Sequence, residues 1–324
     1  MGQTFEHEVV IVGAGPAGMC AAMYTGRAML DAVVLERGFP GGELLNTELV
    51  EDYPGFETIL GSELAQKFQE HAVKFGAAFK TGITVDAVRK RADGLLETVT
   101  DTGDTSVSPT VIITAGGTPV KLGIPGELEY AGKGVSYCAI CDGAFFRNHT
   151  IAVVGGGDAA VEEADFLTRY ANKVYLIHRR ADLRASKILQ QRLFENPKIE
   201  MIWDTAVERV EGDGQGLVNT LKLRNLKTNA QRDLAVTGLF VFIGFKPNSG
   251  IIKGHVDHDE MGYIKTDQNM QTNIPGLFAA GDLRAQLTRQ VTTAVGDATT
   301  AAIAAEKYLK ARKDRAAKGG GVAA

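Results

Sequence analysis

Short β-branched runs ending in glycine punctuate the hydrophobic pattern of this chain. Val9-Val10-Ile11-Val12 leads into Gly13-Ala-Gly15-Pro16-Ala17-Gly18 and an Ala/Met-rich stretch to Leu30. Ile151-Ala-Val-Val154 leads into Gly155-Gly156-Gly157-Asp158-Ala159-Ala160 and an amphipathic run to Tyr170. An unbroken apolar run of this length predicts a strand buried on both faces, and the periodic stretch behind each turn predicts a helix. The strand, turn and helix unit therefore occurs twice, as an internal repeat. Further strands are expected at Ala32 to Leu35, Lys173 to Ile177, from Thr110 to Ala115, from Gly238 to Ile243, and from Ile274 to Gly281-Asp282, with a helical pattern from about Val291 to Lys310. The last piece continues the first unit beyond the second, which makes the first domain discontinuous. The pattern predicts an α/β protein with two Rossmann-like dinucleotide-binding domains, the first three-layered and spanning 1–116 with 247–324, the second inserted at 117–246. Gly116-Gly117 and Gly244 near the crossings suit hinges, and Ala311 to Ala324, rich in Lys, Arg, Ala and Gly without apolar period, reads as a flexible, dispensable tail.

Composition adds exclusions. A 324-residue chain at 44% hydrophobic and 23% charged is globular, and its net charge of −4 argues against nucleic-acid or anionic-lipid binding. The uncharged stretch Val9 to Gly26 is interrupted by Gly13, Gly15, Pro16 and Gly18, so no membrane span is expected, and Met1 to Glu8 lacks the basic and apolar regions of a signal peptide. With only three cysteines, a disulfide-stapled secreted fold is excluded and a cytoplasmic location is expected.

In each glycine unit the first Gly makes the turn, the second lets backbone N–H groups approach a pyrophosphate, and the third position packs helix on strand. What closes the second strand selects the nucleotide. Glu36 after the first turn can accept hydrogen bonds from a ribose 2′-OH, which points to FAD. His178, Arg179 and Arg180 stand at the same offset after the second turn, with Arg184 beyond, and cations there favour a 2′-phosphate, which points to NADPH.

Cys138-Ala-Ile-Cys141-Asp142 lies in the inserted domain shortly before its glycine turn. Cysteines at i and i+3 can close a small exchange-competent disulfide ring, and Asp142 can serve as acid/base or as a turn residue. A zinc knuckle needs four ligands, which Cys20 cannot complete, so no metal is expected; Cys20 reads as a buried packing residue.

Together with Gly41-Gly42, Glu51-Asp-Tyr-Pro-Gly-Phe56, Glu162-Glu163-Ala164 and Arg289-Gln290, these motifs resemble those of bacterial low-molecular-weight thioredoxin reductases over residues 5 to 310. The resemblance implies a homodimeric oxidoreductase that passes electrons from NADPH to FAD, to the Cys138/Cys141 disulfide, and on to thioredoxin, with its inserted domain rotating between two arrangements. It implies that Cys141 lies nearer the flavin, that Cys138 attacks the partner disulfide and that Asp142 is the acid/base. It also implies cofactor contacts from Gly42, Glu43, Leu44, Asp52, Ala115, Gly116, Gly281, Asp282, Arg289, Gln290 and Val291 on the flavin side and from Ile243 and Gly244 on the nicotinamide side. Glu43 replaces a common Gln, Asp52 a common Asn, and Gly116 a common Thr; a carboxylate at Glu43 is expected to make the flavin harder to reduce. Other readings of the same fold are a reductase or oxidase serving a glutaredoxin-like carrier or a small dithiol, or a ferredoxin-linked reductase, against which the Cys pair counts.

Overall fold

The computed structural model describes residues 2–47, 49–213, 216–252 and 254–319. Its helices are α1 (Pro16–Arg27), α2 (Gly61–Lys74), α3 (Ala139–Asp142), α4 (Asp158–Leu167), α5 (Lys187–Glu195) and α6 (Val291–Gly319). The chain divides into two compact units, Met1–Thr118 with Lys246–Ala324, and Pro119–Phe245.

In the first unit a parallel sheet runs in the order Leu277–Ala279, Thr110–Ile113, Val9–Val12, Ala32–Glu36, Ala78–Thr81. Its central strand is buried throughout because alternate side chains serve different layers. Val9 and Ile11 face α1 and α6, whereas Val10 and Val12 face a second apolar layer with Val85, Val88 and Leu96. That layer belongs to the sheet formed by Val85–Lys90, Leu96–Thr100, Thr105–Ser108 and Thr4–Glu6. Small residues line the helix contact: Ala17, Cys20 and Ala21 pack with Ala294, Ala298, Ala301 and Ala305. Cys20 is buried there, its thiol against Val295 O and Thr299 Oγ1, and burial pushes its pKa up.

The second unit repeats the three layers, which the pattern analysis assigned only to the first. Its parallel sheet runs Val135–Ser136, Gly238–Phe242, Thr150–Gly155, Lys173–Ile177, Ile199–Ile202. Ile151 and Val153 face α4, and Ala152 faces the antiparallel meander Thr205–Gly212, Val218–Asn225, Gln231–Ala235.

Within the expected tail, α6 continues unbroken from Ala311 to Gly319. Ala, Lys and Arg are strong helix formers, and Lys313 reaches Glu8 while Arg312 lies against Gly94 O, so charged residues extend a helix whose apolar stripe ends near Leu309. The part of the proposed tail from 320 to 324 lies outside the described residues.

Candidate active site

In the first unit Gly13 takes φ +101°, and a Cβ there would lie 2.7 Å from Thr114 O, so the turn accepts only glycine. A Cβ on Gly18 would meet Gly13 O at 1.8 Å, which is how α1 packs directly on the turn. Gly15 differs, for its Cβ would meet nothing closer than Gly42 Cα at 3.9 Å. The turn is open at the position where a phosphate must approach, and no side chain caps α1, leaving its N-terminal N–H groups for an anion. Glu36 is fixed beside it, accepting from Ala14 N at 2.7 Å and Gly38 N at 2.8 Å.

Gly41 N donates to Ala14 O at 2.8 Å, which seats the Gly42–Asn46 turn against the glycine loop. Glu43 is open to solvent yet ringed by protein, the geometry of a cleft wall; lost hydration pushes its carboxyl up, against the opposing pull of Asn46 and Arg37. Asp282 follows the buried Gly281, and its pKa is also raised, first by burial, with Arg289 opposing and Glu43 and Asp297 adding to it. Its Oδ1 is buried with no hydrogen-bond partner. An orphaned carboxylate oxygen is costly, and a hydroxyl-bearing ligand would satisfy it. Open Gly15, fixed Glu36 and orphaned Asp282 together fit a flavin dinucleotide.

The remaining expected residues of this unit take supporting places. Leu44 is buried in the cluster that Val291 joins, Gln290 N donates to Thr293 Oγ1 at the start of α6, and Arg289 lies over the Tyr263 ring with its Nε on Asp282 O. Asp52 is exposed. Sequence reading missed Asn248, whose side chain and backbone N–H hold Ala115 O and Gly116 O at 2.7 and 2.9 Å. It also missed Thr114, which donates to the Val12 and Gly13 carbonyls, and the buried pair Arg284–Asp297 behind Gly281. The Asn following Pro247 is a loop signal that gives no hint of its target.

In the second unit a Cβ on Gly155 would lie 2.3 Å from Phe242 O, whereas one on Gly157 would meet nothing within 4 Å. The same division of labour therefore holds. Gly157, Asp158, Ala159, Arg184, Ile243 and Gly244 line one cleft of 150 Å³, together with Tyr137 and Phe245. Arg184 N donates to Gly156 O, and Asp158 accepts from Ser186 N, which ties the Arg184 loop to the turn. His178 does not share the exposure of Arg179 and Arg180. It is buried beneath Gly156, and its Nδ1, 2.7 Å from Gly155 O, must carry the hydrogen because a carbonyl only accepts. The open Gly157 and the two exposed guanidinium groups fit a nicotinamide dinucleotide bearing an extra phosphate.

Cys138 and Cys141 form a disulfide across the start of α3. Cys138 is half-buried and its Sγ accepts from Cys141 N at 3.2 Å; Cys141 is exposed. After reduction that N–H favours a thiolate on Cys138. Asp142 lines a neighbouring cavity of 360 Å³ with Lys133, Phe145 and His149.

The family model for pyridine nucleotide-disulphide oxidoreductases matches residues 7–298. The chain belongs to that family. Within it, a thioredoxin reductase from Listeria innocua is 47% identical over 309 residues, 95% of each chain, and one from Bacillus subtilis is 45% identical over 94% of this chain and 95% of the relative. The crystal structure of Lactococcus lactis thioredoxin reductase has a TM-score of 0.91 at 44% identity, covering 94% of this chain and 99% of that one. This oxidoreductase family uses a flavin and a nicotinamide cofactor, and the chain accordingly carries a nucleotide-type glycine turn in each unit. Among the described residues no helix is long and apolar enough to cross a membrane.

Proposed function

We propose that this chain is a cytoplasmic, homodimeric NADPH-dependent thioredoxin reductase with FAD as its resident flavin. The observation that carries the reading is the Cys138–Cys141 disulfide, exposed at Cys141 and one residue from Tyr137 in the wall of the nucleotide cleft. A flavin bound at the first turn supplies two-electron transfer between nicotinamide and disulfide. The chain's own residues do the rest. The first glycine turn, Glu36 and Asp282 hold the flavin dinucleotide, while Gly157, Arg179, Arg180 and Arg184 hold NADPH. Two electrons and two protons convert the Cys138–Cys141 disulfide to a dithiol, and Asp142, next to Cys141 in the chain, is the residue to hold or pass a proton. One thiolate then attacks the partner disulfide, and the second resolves the mixed disulfide, releasing reduced partner and restoring the ring.

The family resemblance gives the attack to Cys138, and the Cys141 N–H bond to its sulfur, which favours the thiolate there, supports that order. The exposed Phe145 and the cavity beside Asp142 support a protein-sized partner over a small dithiol.

The test is anaerobic mixing of the purified holoprotein with NADPH or NADH while following flavin absorbance, then addition of oxidised thioredoxin. NADPH bleaches the flavin fast and thioredoxin restores it. In the Arg179→Ala/Arg180→Ala variant KM for NADPH rises far more than KM for NADH, each lost charge-assisted bond being worth ~1.5 to 3 kcal/mol. Bleaching by neither nucleotide, or recovery with a small-molecule disulfide but not with oxidised thioredoxin, overturns the reading.

A further inference from the structure

Glu127 is 1% exposed, yet among the described residues its partners are neutral donors: Oε1 accepts from Leu122 N at 2.8 Å and from the Tyr137 hydroxyl at 2.9 Å, and Oε2 accepts from Gly123 N at 2.6 Å. A buried carboxylate is an expensive way to tie down a loop, and a fully donated one fixes whatever it binds. What it binds outside its own loop is Tyr137. That side chain is held at both ends. Its hydroxyl is on Glu127, and the backbone beyond it is pinned where Ser136 Oγ accepts from Cys138 N and donates to Cys138 O, both at 3.1 Å. The ring between these anchors lines the cleft with Gly157, Ala159, Ile243 and Phe245. Burial raises the Tyr137 pKa and the Glu127 carboxylate adds to it, so the hydroxyl stays a donor.

We infer that Glu127 is a positioning residue: through the Tyr137 hydroxyl it holds the ring as the wall of the nucleotide cleft and thereby sets the affinity for the nicotinamide dinucleotide. The inference rests on the proposed assignment of that cleft to NADPH. A tyrosine ring tethered at its tip loses little further freedom when a ligand packs against it, so the tether lowers the ordering cost of binding.

The experiment is titration calorimetry of NADP⁺ into oxidised holoprotein for wild type, Tyr137→Phe, Glu127→Gln and the double variant, with thermal melting of each. Tyr137→Phe keeps the ring and removes only the tether. It is expected to raise the dissociation constant about three- to tenfold, the range of one hydrogen bond's net worth. The same factor is expected in KM for NADPH, with a smaller change in kcat. In the Glu127→Gln background Tyr137→Phe is expected to add little, because the tether is already impaired. Unchanged affinity in Tyr137→Phe, or an effect of the same size in both backgrounds, overturns the inference while leaving the cleft assignment intact. Wild type that takes up no NADP⁺ overturns the cleft assignment and this inference with it.

Discussion

Replacing Asp297 by alanine tests the frame that aims Asp282. Arg284 donates to the Asp297 carboxylate through Nε at 3.0 Å and Nη2 at 3.1 Å, and Gly281 N–H donates to the same group at 3.2 Å. The two side chains are only 16% and 10% exposed. Removing the carboxylate leaves the guanidinium, among the described residues, with Thr266 and Gln286 as polar partners and frees a buried N–H beside Asp282. Breaking a buried pair from one side costs ~3 to 5 kcal/mol, and the residual exposure, which admits water to Arg284, puts this site near the lower end at about 3 kcal/mol. For a unit of roughly 200 residues that corresponds to a fall of about 6 to 12 °C in the melting temperature. Urea unfolding followed by far-UV circular dichroism and by release of flavin fluorescence reads both effects, with the flavin lost at lower urea because the Gly281-Asp282 turn is no longer held. Arg284→Met/Asp297→Leu, which removes both charges and restores apolar volume, is expected within about 1 kcal/mol of wild type. An Asp297→Ala variant as stable as wild type, or a double variant as damaged as the single one, would refute the reasoning.

Gly157→Ala separates binding from folding: its Cβ meets no protein atom within 4 Å and its φ of −97° suits alanine, so melting is unchanged while NADP⁺ affinity falls at least tenfold; a lowered melting temperature with unchanged affinity contradicts this. Cys138→Ser and Cys141→Ser each abolish thioredoxin reduction while NADPH still bleaches the flavin, and the thiolate favoured on Cys138 predicts that Cys141→Ser, retaining Cys138, traps the mixed disulfide more readily; retained turnover in either variant removes the cysteines from the path. Burial raises the Glu43 pKa above its ordinary 4.5, so the folded chain binds that proton more tightly than the unfolded one, and the resulting stabilisation, complete below pH 4.5, is lost as pH rises through the raised value. Glu43→Gln should therefore gain stability over wild type from pH 4.5 toward neutrality and carry a flavin that is easier to reduce; superimposable pH–stability curves and potentials would count against a poorly hydrated carboxylate at this position.

What could be read along the chain was whatever local chemistry dictates. Val9–Val12 and Thr150–Gly155 announce strands because β-branched runs cannot be satisfied elsewhere, and Gly13, at φ +101°, is marked by a backbone angle other residues avoid. The Cys138–Cys141 spacing closes its own ring, and Glu36 and Arg179-Arg180 sit at fixed offsets from their turns, so the proposed nucleotide assignment could be argued in order along the chain. The tertiary structure alone decided which polar groups answer each other across packed layers. Asn248 and Ala115, Arg284 and Asp297, and Glu127 and Tyr137 are ordinary polar residues in sequence, and each pair becomes meaningful only when burial removes the water that would otherwise satisfy it. His178 shows the same limit from the other side: in sequence it stands in one basic cluster with Arg179 and Arg180, but packing under Gly156 turns it inward to Gly155 O while the two arginines stay exposed. Direction of a side chain relative to the core is a property of the packed sheet, and no spacing along a single strand encodes which of its two faces a ligand will meet.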